Sequence, residues 1–103
     1  MEKLVILAKI LSDINRVKIL ALLKRDKNLC VCEICDTLEL SQPLVSRHLG
    51  QMKKAQLIDV HKEGKWSIYS LVDHSMLEYL LQEIQEDLQK LPPTRQCFSR
   101  NKR

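Results

Sequence analysis

Two periods of apolar residues alternate along the chain, and their order predicts its elements. Leu4, Val5, Leu7, Ile10 and Leu11 form a first helix that is apolar over most of its circumference, which calls for burial on two sides. Ser12 or Asp13 caps a second helix with Val17, Ile19, Leu20, Leu22 and Leu23 on its core face, ending in the polar run from Lys24 to Asn28. A third, short helix begins after Cys30: Glu33 stands at the capping-box spacing, and Ile34 and Leu38 follow as its apolar side. Ser41 caps a fourth helix from Gln42 to about Ala55, with Pro43 in its first turn, where proline is tolerated. This helix buries Leu44, Val45, Leu49 and Met52 and turns Ser46, Arg47, His48, Gln51, Lys53 and Lys54 outward.

The period then changes to two. Leu57 to Lys62 and Trp66 to Leu71 alternate apolar with polar, and Glu63-Gly64-Lys65 between them makes a tight turn. Asp73 or Ser75 caps a last helix whose stripe is Met76, Leu77, Leu80, Leu81, Ile84, Leu88 and Leu91, stopped by Pro92-Pro93. A short helix, a turn, a polar and cationic helix, then a hairpin read as a winged helix-turn-helix: a mainly α fold with a small β-hairpin. In such a fold the second helix of the motif enters the major groove. Gln42, Ser46, Arg47, His48 and Lys53 then face double-stranded DNA, and Lys62 and Lys65 on the wing face its phosphates. The bland alternative, an ordinary solvated helix face, loses ground once the hairpin follows. Trp66 reads as a core plug under that hairpin.

The first and last helices together expose more apolar surface than a monomer leaves in water. They predict a symmetric homodimer through Leu4, Leu7, Leu77, Leu80, Leu81, Ile84 and Leu88, which would set two reading helices about one DNA turn apart on a near-palindromic operator. Residues 1–91 make the DNA-binding and dimerisation domain, and 92–103 a basic, loose tail.

Charge and composition sharpen this picture only a little. The formal net charge of +4 favours a nucleic-acid partner. The N-terminus lacks a signal-peptide layout and no apolar run is long enough to span a bilayer, so the expectation is a cytoplasmic protein, off the membrane, with reduced thiols. No pocket-forming set of acid and base residues is apparent, and Cys32-x-x-Cys35 lies in a helical setting without the βαβ pattern of a redox enzyme. An enzyme or metal carrier is therefore disfavoured, and no catalytic residue or catalytic cofactor is assigned.

Three of the four cysteines, Cys30, Cys32 and Cys35, fall within six positions. At about 100° per residue, Cys32 and Cys35 share a helix face while Cys30, in a continued helix, points away from both. Placed in the cap instead, Cys30 can swing over the first turn, near the positive end of the helix dipole, and complete a cup of three sulfurs. Zinc favours four ligands and calcium oxygens, whereas As(III) or Sb(III), each with a lone pair in place of a fourth ligand, fits three sulfurs. The competing reading makes the thiols small buried hydrophobes; it fits Cys32 or Cys35 better than a Cys30 at a cap. A disulfide is disfavoured because nothing points to export. Cys97, far along the chain, reads as a free thiol rather than a fourth ligand.

The order of elements, with Leu11-Ser12-Asp13, Arg16, Ile19-Leu20, Ser41-Gln42-Pro43, Val45-Ser46-Arg47-His48-Leu49, Gly64-Lys65-Trp66 and Tyr69, resembles the ArsR family of metal-sensing repressors over about Leu7 to Leu91. The stretch from Leu29 to Cys35 is similar to its arsenic-sensing branch. That resemblance implies a repressor that leaves an arsenic-resistance promoter when As(III) or Sb(III) binds Cys30, Cys32 and Cys35. The alternative is a winged-helix repressor answering another thiophilic metal, zinc or cadmium, or thiol oxidation. Other members of the family hold zinc on the last helix; here Asp73 matches, but Ser75, Glu86 and Gln89 replace the expected His, His and Glu.

Overall fold

The computed structural model describes residues 1–94. Helices α1 (Glu2–Leu11) and α2 (Ile14–Asp26) are followed by a short strand β1 (Leu29–Cys30), helices α3 (Val31–Leu38) and α4 (Gln42–Lys54), and strands β2 (Ile58–Glu63) and β3 (Trp66–Leu71). Helices α5 (Ser75–Glu83) and α6 (Gln85–Leu88) close the order. Three of the helix starts carry a side-chain cap. The Asp13 carboxylate accepts from the Asn15 and Arg16 amides at the head of α2, Ser41 Oγ accepts from Leu44 N above α4, and His74 Nδ1 accepts from Leu77 N above α5. Among the described residues, no helix is long and apolar enough to cross a membrane.

The core lies where α2 passes behind the helix-turn-helix. Ile19, Leu20, Leu22 and Leu23 pack with Ile34, Val45, Leu49, Met52, Leu57 and Ile58. This is the face that the helical periods predict. The turn between α3 and α4 relies on Glu39, whose backbone is left-handed at φ 57°, and Leu40 N closes back onto Cys35 O at 3.1 Å.

Three features depart from the expectations. The hairpin gains a third strand: β1 pairs antiparallel with β3, matching Leu29 with Tyr69 and Cys30 with Ile68, so the sheet order is β1-β3-β2. The last helix is not continuous; it breaks at Ile84 (φ −110°), and α6 begins at the next residue. Of the expected dimer residues, Leu7, Leu77, Leu81 and Leu88 are buried within the single chain. They face the core of their own protomer, which corrects their assignment as interface. Among the described residues, the large apolar side chains left in solvent are Met1, Leu4, Val5, Ile6, Ile14, Met76, Tyr79 and Leu80, with Ile84 half-buried. The tail from residue 95 and Cys97 lie outside the described residues.

Candidate nucleic-acid interface and thiol cluster

Helix α4 presents one solvent arc and one core arc. Gln42, Ser46, Arg47, Lys53 and Lys54 are exposed, while Val45, Leu49 and Met52 are buried. His48, expected on the outer face, is only 5% exposed. The reason is its phase: Val45, His48, Leu49 and Met52 form an i, i+3, i+4, i+7 stripe, so the imidazole takes the core arc. His48 is therefore removed from the set that faces DNA. Neither ring nitrogen finds a hydrogen-bond partner among the described residues. Burial holds the imidazole below its usual pKa, while Asp13 nearby opposes that shift.

The wing carries its cations outward. Glu63 pairs with Trp66, leaving Gly64-Lys65 as a two-residue loop, and Gly64 at φ 61° supplies the left-handed dihedral that such loops need. Lys62 and Lys65 are exposed. Lys65 Nζ lies 5.5 Å from the Trp66 ring centroid. His61 Nε2 and Glu63 Oε2 are 3.1 Å apart beside the tip.

The cysteines sit at the junction of wing and helix-turn-helix. Cys30 is the N-cap of α3, as expected, and the capping box with Glu33 is closed: the Cys30 amide donates to Glu33 Oε1 at 3.0 Å. Contrary to expectation the cap is not at the surface. Cys30 is 1% exposed because β3 covers it, and it packs against Ile68 with Cys32 and Trp66 alongside. Cys35 is half-buried against the main core. Burial pushes the Cys30 thiol up, opposed by the Glu33 amide and reinforced by the Glu33 carboxylate; burial, then Asp36 and Cys30, raise Cys35. Both are held as neutral thiols. Cys32 is disulfide-bonded, which corrects the expectation that no cysteine would be.

In chemistry, three sulfurs within six positions suit a thiophilic ion. In geometry, no group of three or more His, Cys, Asp or Glu side chains is gathered to hold a metal among the described residues. Taking an ion on all three sulfurs therefore requires Cys32 to be reduced and the start of α3 to rearrange. Sequence reasoning left one residue of this region without a role, Arg16. Its guanidinium links the end of α1 to Gln51 on α4, and an arginine in the first turn of a capped helix was the available signal.

Comparison with known proteins agrees with this geometry. The sequence model described as "Bacterial regulatory protein, arsR family" matches residues 13–60, the span from the cap of α2 into the first strand of the wing. The reduced form of HlyU from Vibrio cholerae superposes with a TM-score of 0.72 at 30% identity, covering 82% of this chain and 87% of that one. This chain belongs to the ArsR family. An uncharacterized HTH-type transcriptional regulator of Methanocaldococcus jannaschii is 39% identical over 79 residues, 77% of this chain and 89% of that protein. An arsenical resistance operon repressor of Escherichia coli is 44% identical over 68 residues, 66% of this chain and 58% of its own length. A cadmium resistance regulatory protein of Listeria innocua is 39% identical over 72 residues, 70% of this chain and 60% of that protein. Against these last two, the ArsR-family chain spans about three fifths of the relative's length. The ArsR fold is that of a DNA-binding transcription regulator and not of an enzyme family.

Proposed function

We propose that this ArsR-family regulator is a homodimeric repressor that holds double-stranded operator DNA and releases it when As(III) or Sb(III) takes the sulfurs of Cys30, Cys32 and Cys35. The observation that carries the reading is the position of the triplet. Its first member caps α3, and α3 packs directly against the reading helix α4. Gathering three sulfurs at i, i+2 and i+5 draws on the first turn of α3, and so favours a conformation with weaker DNA affinity. Gln42, Ser46, Arg47 and Lys53 would face the groove, with Lys62 and Lys65 on phosphates. The arsenical resistance name of the E. coli relative supports the ion; the cadmium resistance name of the Listeria relative keeps cadmium and zinc as competitors.

The deciding experiment is fluorescence anisotropy of a labelled promoter fragment with reduced protein, titrated separately with arsenite, antimonite, cadmium and zinc at fixed salt, since salt alone moves DNA affinity. Release by arsenite and antimonite at near-stoichiometric ratios, lost in Cys32→Ser while DNA binding persists, is the expected result. Normal release by Cys32→Ser would sink it.

A second reading, release on thiol oxidation, has one observation behind it: Cys32 is disulfide-bonded whereas Cys30 and Cys35 carry thiols. It expects the oxidised wild-type protein to have lost operator affinity before any ion is added.

A further inference from the structure

The strand that carries the first cysteine is also part of the wing sheet. Leu29 and Cys30 pair with Tyr69 and Ile68 on β3, the strand that descends from the wing tip. Cys30 and Ile68, at 1% and 0% exposure, form a small cluster of their own apart from the main core, and Cys32 and Trp66 are the residues packed against it. Trp66 directly follows the Gly64-Lys65 loop and carries the Lys65 ammonium over its ring. The Cys30–Ile68 cluster, the indole packed against it and the tip cation therefore form one continuous run. We propose that Trp66 relays the state of the thiol cluster to Lys65, so that the wing as well as the reading helix loses its grip on DNA. The proposal rests on the assignment of Cys30, Cys32 and Cys35 as the effector site.

The physical case is one of packing. Close-packed interiors do not absorb a displaced side chain; the neighbours move or a void opens. In the main core that displacement is shared among many residues. Around Cys30 the polar side is closed by buried Glu33, and of the apolar neighbours Ile68 is held in the sheet while Trp66 lies half-exposed at its edge. The indole is the member with room to move. Its motion carries the cation that rests on it, and a lysine at a hairpin tip needs only a small displacement to lose a phosphate contact. Trp66 is thus a positioning residue, acting through Lys65. A run of packed side chains is a route for coupling only if both ends bias it, which is what the test must show.

Trp66 is the single tryptophan of the chain, so its emission reports the relay without a label. Reduced full-length protein is titrated with sodium arsenite in the absence of DNA while indole emission is followed. In parallel, operator dissociation constants are measured with and without arsenite for wild type, Trp66→Leu and Lys65→Gln. The expected result is a saturating emission change in wild type at the stoichiometry of operator release. The ratio of the two dissociation constants should fall at least ~5-fold in both variants, a loss within the usual range of coupling factors. Lys65→Gln lies on the exposed tip, so it keeps the test valid if Trp66→Leu fails to fold. A wild-type release accompanied by static emission, or an unchanged ratio in Lys65→Gln, overturns the relay alone. A wild type that arsenite does not release overturns the effector assignment, and the relay with it.

Discussion

Arg16 clamps the end of α1 to the reading helix through Gln51. Its Nη1 donates to Gln51 Oε1 at 2.7 Å, while Nε and Nη2 donate to the Ile10 and Lys9 carbonyls at 2.9 and 3.0 Å. One guanidinium thus binds two carbonyls at a helix terminus, that of Lys9 shared with Ser12, and reaches the flank of α4. Because α1 also carries the exposed residues Leu4, Val5 and Ile6, the clamp joins the proposed dimer surface to the DNA-facing helix. Arg16→Ala is expected to cost about 1–3 kcal/mol, from charge-assisted hydrogen bonds lost at a part-buried site. Gln51→Ala, which removes one of the three bonds, costs less. Thermal unfolding followed by circular dichroism checks both.

The interface with DNA divides into residues that hold and residues that read. Lys62→Ala and Lys65→Ala should weaken binding to every duplex alike and lower the slope of log affinity against log salt by about 1 each. Arg47→Ala should instead narrow the gap between operator and unrelated DNA. A salt titration on both duplexes separates the two outcomes.

Leu80 and Leu81 are neighbours with opposite duties, the first exposed at 36% and the second buried at 2%. Leu81→Ala opens a hole in the protomer core and should cost about 2–5 kcal/mol. A Tyr79→Glu, Leu80→Glu double substitution should leave helicity intact and yield monomers in sedimentation velocity. Dimers that survive it would place the assembly surface elsewhere.

His48 predicts a pH dependence with a definite sign. Burial lowers its pKa in the folded chain, so the unfolded chain binds more protons and stability rises with pH. The contribution is complete above about pH 6.5, the ordinary imidazole value, and is lost as pH falls from there toward the depressed folded value. His48→Leu should flatten urea midpoints across that window, leaving the Asp13 carboxylate to act at lower pH: its bond from the Asn15 amide holds it below its usual value. Equal slopes in the two proteins would show that His48 is not the titrating group.

Elements with a period of their own were legible in the sequence, and elements made by distant pairing were not. The helices from α1 to α5, the hairpin and the Cys30 cap follow from spacing, caps and a two-residue loop. Strand β1 has two residues, too few to show any alternation, and exists because β3 comes back to it. That return also buries Cys30, which local reasoning left at the surface. His48 was misplaced by residue type: its phase with Val45, Leu49 and Met52 assigns it inward, while its polarity suggested the opposite. The stripe of the last helix had a similar ambiguity. Periodicity shows that Leu77, Leu81 and Leu88 need cover, but their own core and a partner chain satisfy that need equally well. The break at Ile84 has no mark in the stripe, which runs through it unbroken.

Among the described residues, strand β2 lies on the outside of the sheet, next to β3. An outer strand offers unpaired amides and carbonyls to any extended chain it meets, and is a common starting point for aggregation. Here its exposed positions are Asp59, His61 and Lys62. These side chains make strand addition by a second molecule unfavourable whenever the protein is away from DNA. A lysine assigned to a phosphate thus has a second duty in the free protein, as a guard against self-association. Lys62→Val, Asp59→Val together should raise light scattering on mild heating well before the core melts, even though neither residue contributes to that core.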